Sequence, residues 1–96
     1  MKLLMIFVDG AHADDVQTLL EEGEAAGFSR FPNITGKGTT GRKLGTRAFP
    51  GSSELFVTVI DEHRCTPFVS RLEELRNERG AHEGLKVYCM EANELL

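Results

Sequence analysis

Cysteine occurs only twice in the 96 residues, at Cys65 and Cys89, too few and too unpatterned for a disulfide framework. A reduced, cytosolic setting is the simpler reading. Long apolar runs are missing as well. The apolar start, Leu3 to Val8, is too short for the core of a signal peptide with its cleavage site, and far too short to span a bilayer. There is no surplus of positive charge: the net charge of −4 disfavours a general nucleic-acid binder. No Ser-His-Asp or Cys-His arrangement falls within mutual reach in this residue order. Asp9, His12 and Asp14 could cluster after the first apolar run, but turn and capping roles account for the two acids. The sequence reads as non-enzymatic.

One absence is local. Between Ser29 and Ser53 there is no acidic residue, although the chain as a whole is acidic. That stretch carries Lys37, Arg42, Lys43 and Arg47, with Arg30 just upstream, and glycines at 36, 38, 41, 45 and 51. Successive amides in a glycine-rich loop can form an anion-binding concavity, which nearby cations strengthen. Such a segment is either a ligand-binding loop or a mobile, solvated hairpin tip. Gly36 to Lys43 comes near the phosphate-binding pattern GxxxxGK[ST], but Arg42 takes the lysine place and Lys43 the hydroxyl place. No helix follows to receive a phosphate at its N-terminus, so a P-loop NTPase is rejected. No GxGxxG opens a helix after a strand either.

Lys2 to Asp9 is a strand with two apolar faces, Leu3, Met5 and Phe7 on one and Leu4, Ile6 and Val8 on the other. A helix follows, with Asp14 and Gln17 placed as a capping box, Val16, Leu19, Leu20 and Ala26 on its apolar face, and Gly27 as its stop. Phe28 to Thr35 is a second strand, and Pro32 assigns it to an edge or a bulge. Glu54 to Asp61 is a third, again apolar on both faces. Thr66 and Pro67 are placed to open a second helix, which buries Phe68, Val69, Leu72 and Leu75 and ends at Gly80. Leu85 to Met90 is the fourth strand, and Glu91 to Leu96 a tail that forms a helical turn or a partner segment.

The order β-α-β-β-α-β predicts an α+β, ferredoxin-like sandwich: a four-stranded antiparallel sheet with two helices on one face. Split-βαβ topology puts the first and third strands in the centre, where their double-sided apolarity belongs. The second face then leaves an apolar patch in water, and self-association is the simplest cover for it.

A domain of this length and order, with a glycine-rich basic loop at about 36–53, resembles the PII (nitrogen-regulatory) signal-transduction superfamily. Ile34 to Gly38 looks like the family's approach to its long loop, and Gly80 to Gly84 like its second nucleotide loop. The resemblance implies a cytoplasmic homotrimer that binds ATP, ADP or AMP, or a similar anion, in clefts between subunits. It implies ligand contacts from Gly36, Lys37, Gly38, Thr39, Thr40, Gly84 and Lys86. Arg42, Lys43 and Arg47 would form a flexible tip for a partner such as a membrane transporter or a regulatory enzyme, with no nucleic acid and no membrane insertion. The loop is then expected to be mobile when empty and ordered by its ligand. Thr40 falls near the glutamine that accompanies magnesium-ATP and 2-oxoglutarate in nitrogen-regulatory members, and the loop has no counterpart of the uridylylated tyrosine. The phosphate-clamping arginines near the C-terminus likewise have no counterpart in Glu91 to Leu96, so the chain resembles a divergent member.

Three other readings share the topology. A CutA-like or metal-responsive protein would use His63, Cys65 or His82, but no pair has the spacing of a known zinc site, and Cys89 is expected in the core. An acylphosphatase needs an arginine-bearing phosphate loop after the first strand, where Asp9 to His12 stand instead. RNA-recognition domains need stacking aromatics on a basic sheet; Phe7 and Phe56 exist, but the basic signature does not.

Overall fold

Strand β1 (Lys2–Asp9) alternates as its sequence predicts: Leu4, Ile6 and Val8 are fully buried, and Leu3, Met5 and Phe7 are half-buried on the opposite face. The computed structural model describes residues 1–23, 25, 27–38, 41–43, 53–79 and 84–96. After a 3-10 turn at Gly10–His12 come helix α1 (Ala13–Glu22), β2 (Phe28–Ile34), β3 (Gly36–Gly38), β4 (Gly41–Lys43), β5 (Ser53–Ile60), α2 (Glu62–Arg79) and β6 (Leu85–Glu91). The main sheet is antiparallel with order β2-β5-β1-β6, so the two doubly apolar strands are central as expected. Pro32 sits on an edge strand whose register shifts between Phe31 and Ile34, and Asn33 there takes φ 58°, a left-handed conformation that asparagine tolerates.

Both helices pack on one face. Val16 and Leu20 of α1 and Phe68 and Leu72 of α2 join Leu4, Ile6, Val8, Phe56, Ile60 and Leu85 in a single buried cluster. Each such side chain contributes about 1.5–3 kcal/mol on burial. No described element covers the opposite face, which runs in three rows across the strands. These rows are Met90-Leu3-Val59, Tyr88-Met5-Val57-Ser29 and Lys86-Phe7-Leu55-Phe31. Phe31, Val59, Tyr88 and Met90 are exposed there, and Tyr88 meets Phe7 edge-on with ring centroids 6.0 Å apart.

Several boundaries depart from the sequence reading. Helix α1 has no side-chain cap; the Asp14 carboxylate turns instead to Arg30. It stops at Gly23 rather than Gly27: the Gly23 N–H makes the last helical bond, to the Leu19 carbonyl at 2.7 Å, and its ψ of 12° then turns the chain out of the helix, where a Cβ would lie 3.0 Å from the Phe68 ring. Helix α2 begins at Glu62, four residues before Thr66, and takes Pro67 into its second turn, forfeiting one backbone hydrogen bond. Residues Ala92 to Leu96 form no helical turn; Ala92 N–H donates to the Met1 carbonyl.

Candidate functional site

Register fixes which loops share an end of the sheet. Asp9 and Ile34 both lie opposite Ser53, and Val8 lies opposite Leu85. The exits of β1 and β2 and the starts of β5 and β6 therefore meet at one end, and with them Gly36 and Gly84. Across the sheet, however, Gly36 follows one edge strand, β2, and Gly84 precedes the other, β6. Three strand spacings separate the edges, roughly 14 Å at 4.7–4.9 Å per spacing.

The glycine segment is partly built. Gly36 pairs with Lys43, Lys37 with Arg42 and Gly38 with Gly41 in an antiparallel ladder, so these residues form a short hairpin stem. The backbone is thus more ordered here than the sequence implied, and part of its hydrogen bonding is spent within the hairpin. Thr39, Thr40 and Arg47 lie outside the described residues, as does His82.

At the other edge, Asp9 N–H donates to the Gly84 carbonyl at 3.0 Å. Its Oδ1 is buried and meets no hydrogen-bond partner among the described residues, an acceptor to which local pattern assigns only a turn role. Gly84 is held against that side chain: a Cβ at 84 would overlap the Asp9 carboxylate, reaching Cγ at 3.0 Å and Cβ at 3.3 Å. Gly84→Ala is therefore expected to destabilise the chain by about 1–3 kcal/mol, the usual cost of overpacking, measured by urea unfolding. An unchanged midpoint would show that Asp9 swings away without cost. Lys86 is exposed and stands on the uncovered face opposite Phe7, two residues along β6 from Gly84.

Arg30, just upstream of the loop cations, is engaged elsewhere. It lies on the helix-covered side of β2, half-buried over the Phe56 ring at 5.4 Å. Its Nε donates to Glu54 Oε1 at 2.5 Å, and one terminal nitrogen donates to Gln17 Oε1 at 2.6 Å and Asp14 Oδ1 at 3.1 Å. The hydrogen bond to Glu54, then that to Asp14, holds the guanidinium above its ordinary pKa despite partial desolvation.

His63 and Cys65 are inside α2, not ahead of it. Two residues apart on a helix, they do not share a face. His63 is exposed beside a shallow cleft of about 380 Å³ that reaches Gly23 and Phe68, whereas Cys65 packs against the core. Cys89, expected in the core, is exposed because β6 is an edge strand. Among the described residues no group of three or more His, Cys, Asp or Glu is placed to hold a metal ion, and no helix is long and apolar enough to cross a membrane.

No protein-family model matches the sequence, and no curated protein matches it significantly. Solved structures do match in fold. The nitrogen regulatory PII-like protein CPII of Thiomonas intermedia, bound to ADP, AMP and bicarbonate, superposes with a TM-score of 0.70 at 24% identity, over 97% of this chain and 88% of that one. A DUF3240 family protein from Shewanella baltica gives 0.70 at 18% identity, over 99% and 94%. A protein from Thermus thermophilus assigned to PII-like signalling gives 0.63 at 18% identity, over 93% and 82%. With the ferredoxin-like sheet order and both helices on one face, the chain has the fold of the PII-like proteins.

Proposed function

We propose that the chain is a divergent PII-like regulatory protein, a single domain that works in the cytoplasm without catalysis. It assembles as a homotrimer through the uncovered sheet face, and binds an adenine nucleotide (ATP, ADP or AMP) or a similar anion in clefts between subunits. The observation that carries this reading is the delivery of Gly36 and Gly84 to one end of the sheet but to opposite edges. A separation of roughly 14 Å is too wide for one phosphate to bridge within a chain. A neighbouring subunit that sets its Gly84 edge beside the Gly36 edge of the first would close the gap. CPII, which has this fold, holds ADP and AMP.

In that cleft, Gly36, Lys37, Gly38, Thr39 and Thr40 supply backbone, hydroxyl and cationic contacts from one side, and Gly84 and Lys86 from the other. Arg42 and Lys43, on the second strand of the stem, and Arg47, four residues further along the sequence, engage a partner protein, a membrane transporter or a regulatory enzyme. The metal-binding reading gains nothing from the divergence of His63 and Cys65 on α2.

Calorimetry with ATP, ADP and AMP is expected to show binding that weakens as salt is added, since phosphate contacts to cations are screened. Lys37→Ala is expected to weaken binding by roughly tenfold, the scale of one charge-assisted hydrogen bond. Absence of heat with all three nucleotides, alongside tight zinc or copper binding lost in His63→Ala, would overturn the proposal in favour of the metal reading.

A further inference from the structure

On the helix-covered side of β1, Lys2 lies opposite Glu91 and Leu4 lies opposite Cys89. The Lys2 ammonium meets Glu91 at 3.1 Å and Glu62 at 3.5 Å, so it ties the first residue of α2 to the last residue of β6. Cys65 lies one helical turn beyond Glu62, and Cys89 two residues before Glu91 on the same strand face. The clasp at Lys2 therefore brings the two cysteines together one step further along the same helix–strand seam. Both are free thiols, and they are close enough for Cys89 to act on the Cys65 thiol.

We propose that Cys65 and Cys89 are a reversible dithiol–disulfide pair that fastens the start of α2 to β6. The two thiols differ in access. Cys89 is exposed at the sheet edge, whereas Cys65 is half-buried against the core. Burial, and then the hydrogen bond to Cys89, push the Cys65 thiol above its ordinary pKa. Cys89 is accordingly the first nucleophile and Cys65 the resolving thiol. The oxidant is a low-molecular-weight disulfide such as oxidised glutathione. The Cys89 thiolate attacks one of its sulfurs, the glutathione S–S bond breaks, and one glutathione leaves and takes up a proton. Cys65 then gives its proton to solvent and its Sγ attacks the Cys89 Sγ, expelling the second glutathione, which is protonated in turn. Two protein thiols are oxidised by two electrons, and one glutathione disulfide is reduced to two glutathiones. The ring so closed runs from residue 65 to 89 and contains Gly84.

The test incubates the full-length chain in glutathione redox buffers, then traps thiols and measures intact mass and cross-linked peptides. Both thiols are expected to disappear together, with loss of two hydrogens, a 65–89 cross-link within one chain, and reversal by dithiothreitol. The bridged form should exceed the glutathione adduct by roughly tenfold or more, because a neighbouring thiol acts at a high local concentration. In Cys65→Ser the glutathione adduct should persist at Cys89; in Cys89→Ser, Cys65 should react far more slowly than Cys89 does in the wild type. A wild-type protein that accumulates the adduct without bridging, or bridges only between chains, overturns the proposal. So does a Cys89→Ser variant, shown to be folded by circular dichroism, whose Cys65 reacts as fast as wild-type Cys89.

Discussion

Arg30→Ala is expected to lower the thermal unfolding midpoint by roughly 10–20 °C, the shift that about 2–3 kcal/mol produces in a domain of this size. The cause is what the substitution leaves behind. Glu54 lies 8% exposed between the sheet and α1, and its carboxylate is answered by the Arg30 Nε at 2.5 Å. Removing one partner of a buried pair costs about 3–5 kcal/mol because the other charge is stranded. The lower figure applies here because the Arg30 side chain is 28% exposed, so solvent already screens part of the pair. Alanine also gives up the hydrogen bonds to Gln17 and Asp14, which join β2 to α1, and the contact with the Phe56 ring. Arg30→Lys keeps the charge but not the forked donor geometry and should fall in between. The Arg30→Met, Glu54→Leu double variant should recover most of the loss, since no charge is then stranded. If the alanine variant melts within about 3 °C of wild type, a shift worth under 1 kcal/mol, the cluster is not a structural clasp.

Val57→Asp is expected to change the state of assembly rather than the fold. Val57 stands in the middle row of the uncovered face, between Met5 and Ser29, while its neighbours in sequence, Phe56 and Thr58, face the helices. A carboxylate there would be buried without a partner in any interface formed by this face, at a cost of several kcal/mol per subunit. Light scattering is expected to fall from about three chains in the wild type to one chain of 10.6 kDa in the variant. Circular dichroism should be nearly unchanged, because the helix-side core is untouched. A wild-type protein that is a clean monomer at micromolar concentration would remove the trimer and the inter-subunit cleft with it.

Topology was legible because it depends on patterns repeated along whole strands. Six consecutive apolar residues in β1 and the alternation of β5 each say that both faces are apolar, and Pro32 alone marks an edge. Helix starts were less legible, since they turn on single side chains with competing uses. Asp14 could cap α1 or meet Arg30, and a partner 16 residues away is invisible to local pattern. Pro67 was read as a first helical residue, yet the helix accepts the loss of one hydrogen bond near its start and begins at Glu62. For the site, local pattern marks the glycine segments but leaves Arg30 just upstream of them without a role, because its partners Glu54, Gln17 and Asp14 are brought to it only by the tertiary fold. The Cys65–Cys89 contact was hidden for the same reason: 24 residues separate two cysteines that the helix–strand crossover brings together.

The two borders of the main sheet are unequal in a way that governs where it can grow. The outer border of β2 is spoiled as a template: Pro32 has no N–H to offer, and Asn33 turns the backbone out of the extended conformation. The outer border of β6 has no such break over its seven residues, Leu85–Glu91. An extended segment from any source would find a continuous row of donors and acceptors only along β6. The sheet is therefore sealed on the side of the glycine hairpin and open to extension on the side of Gly84, so strand addition, wanted or unwanted, has a single direction.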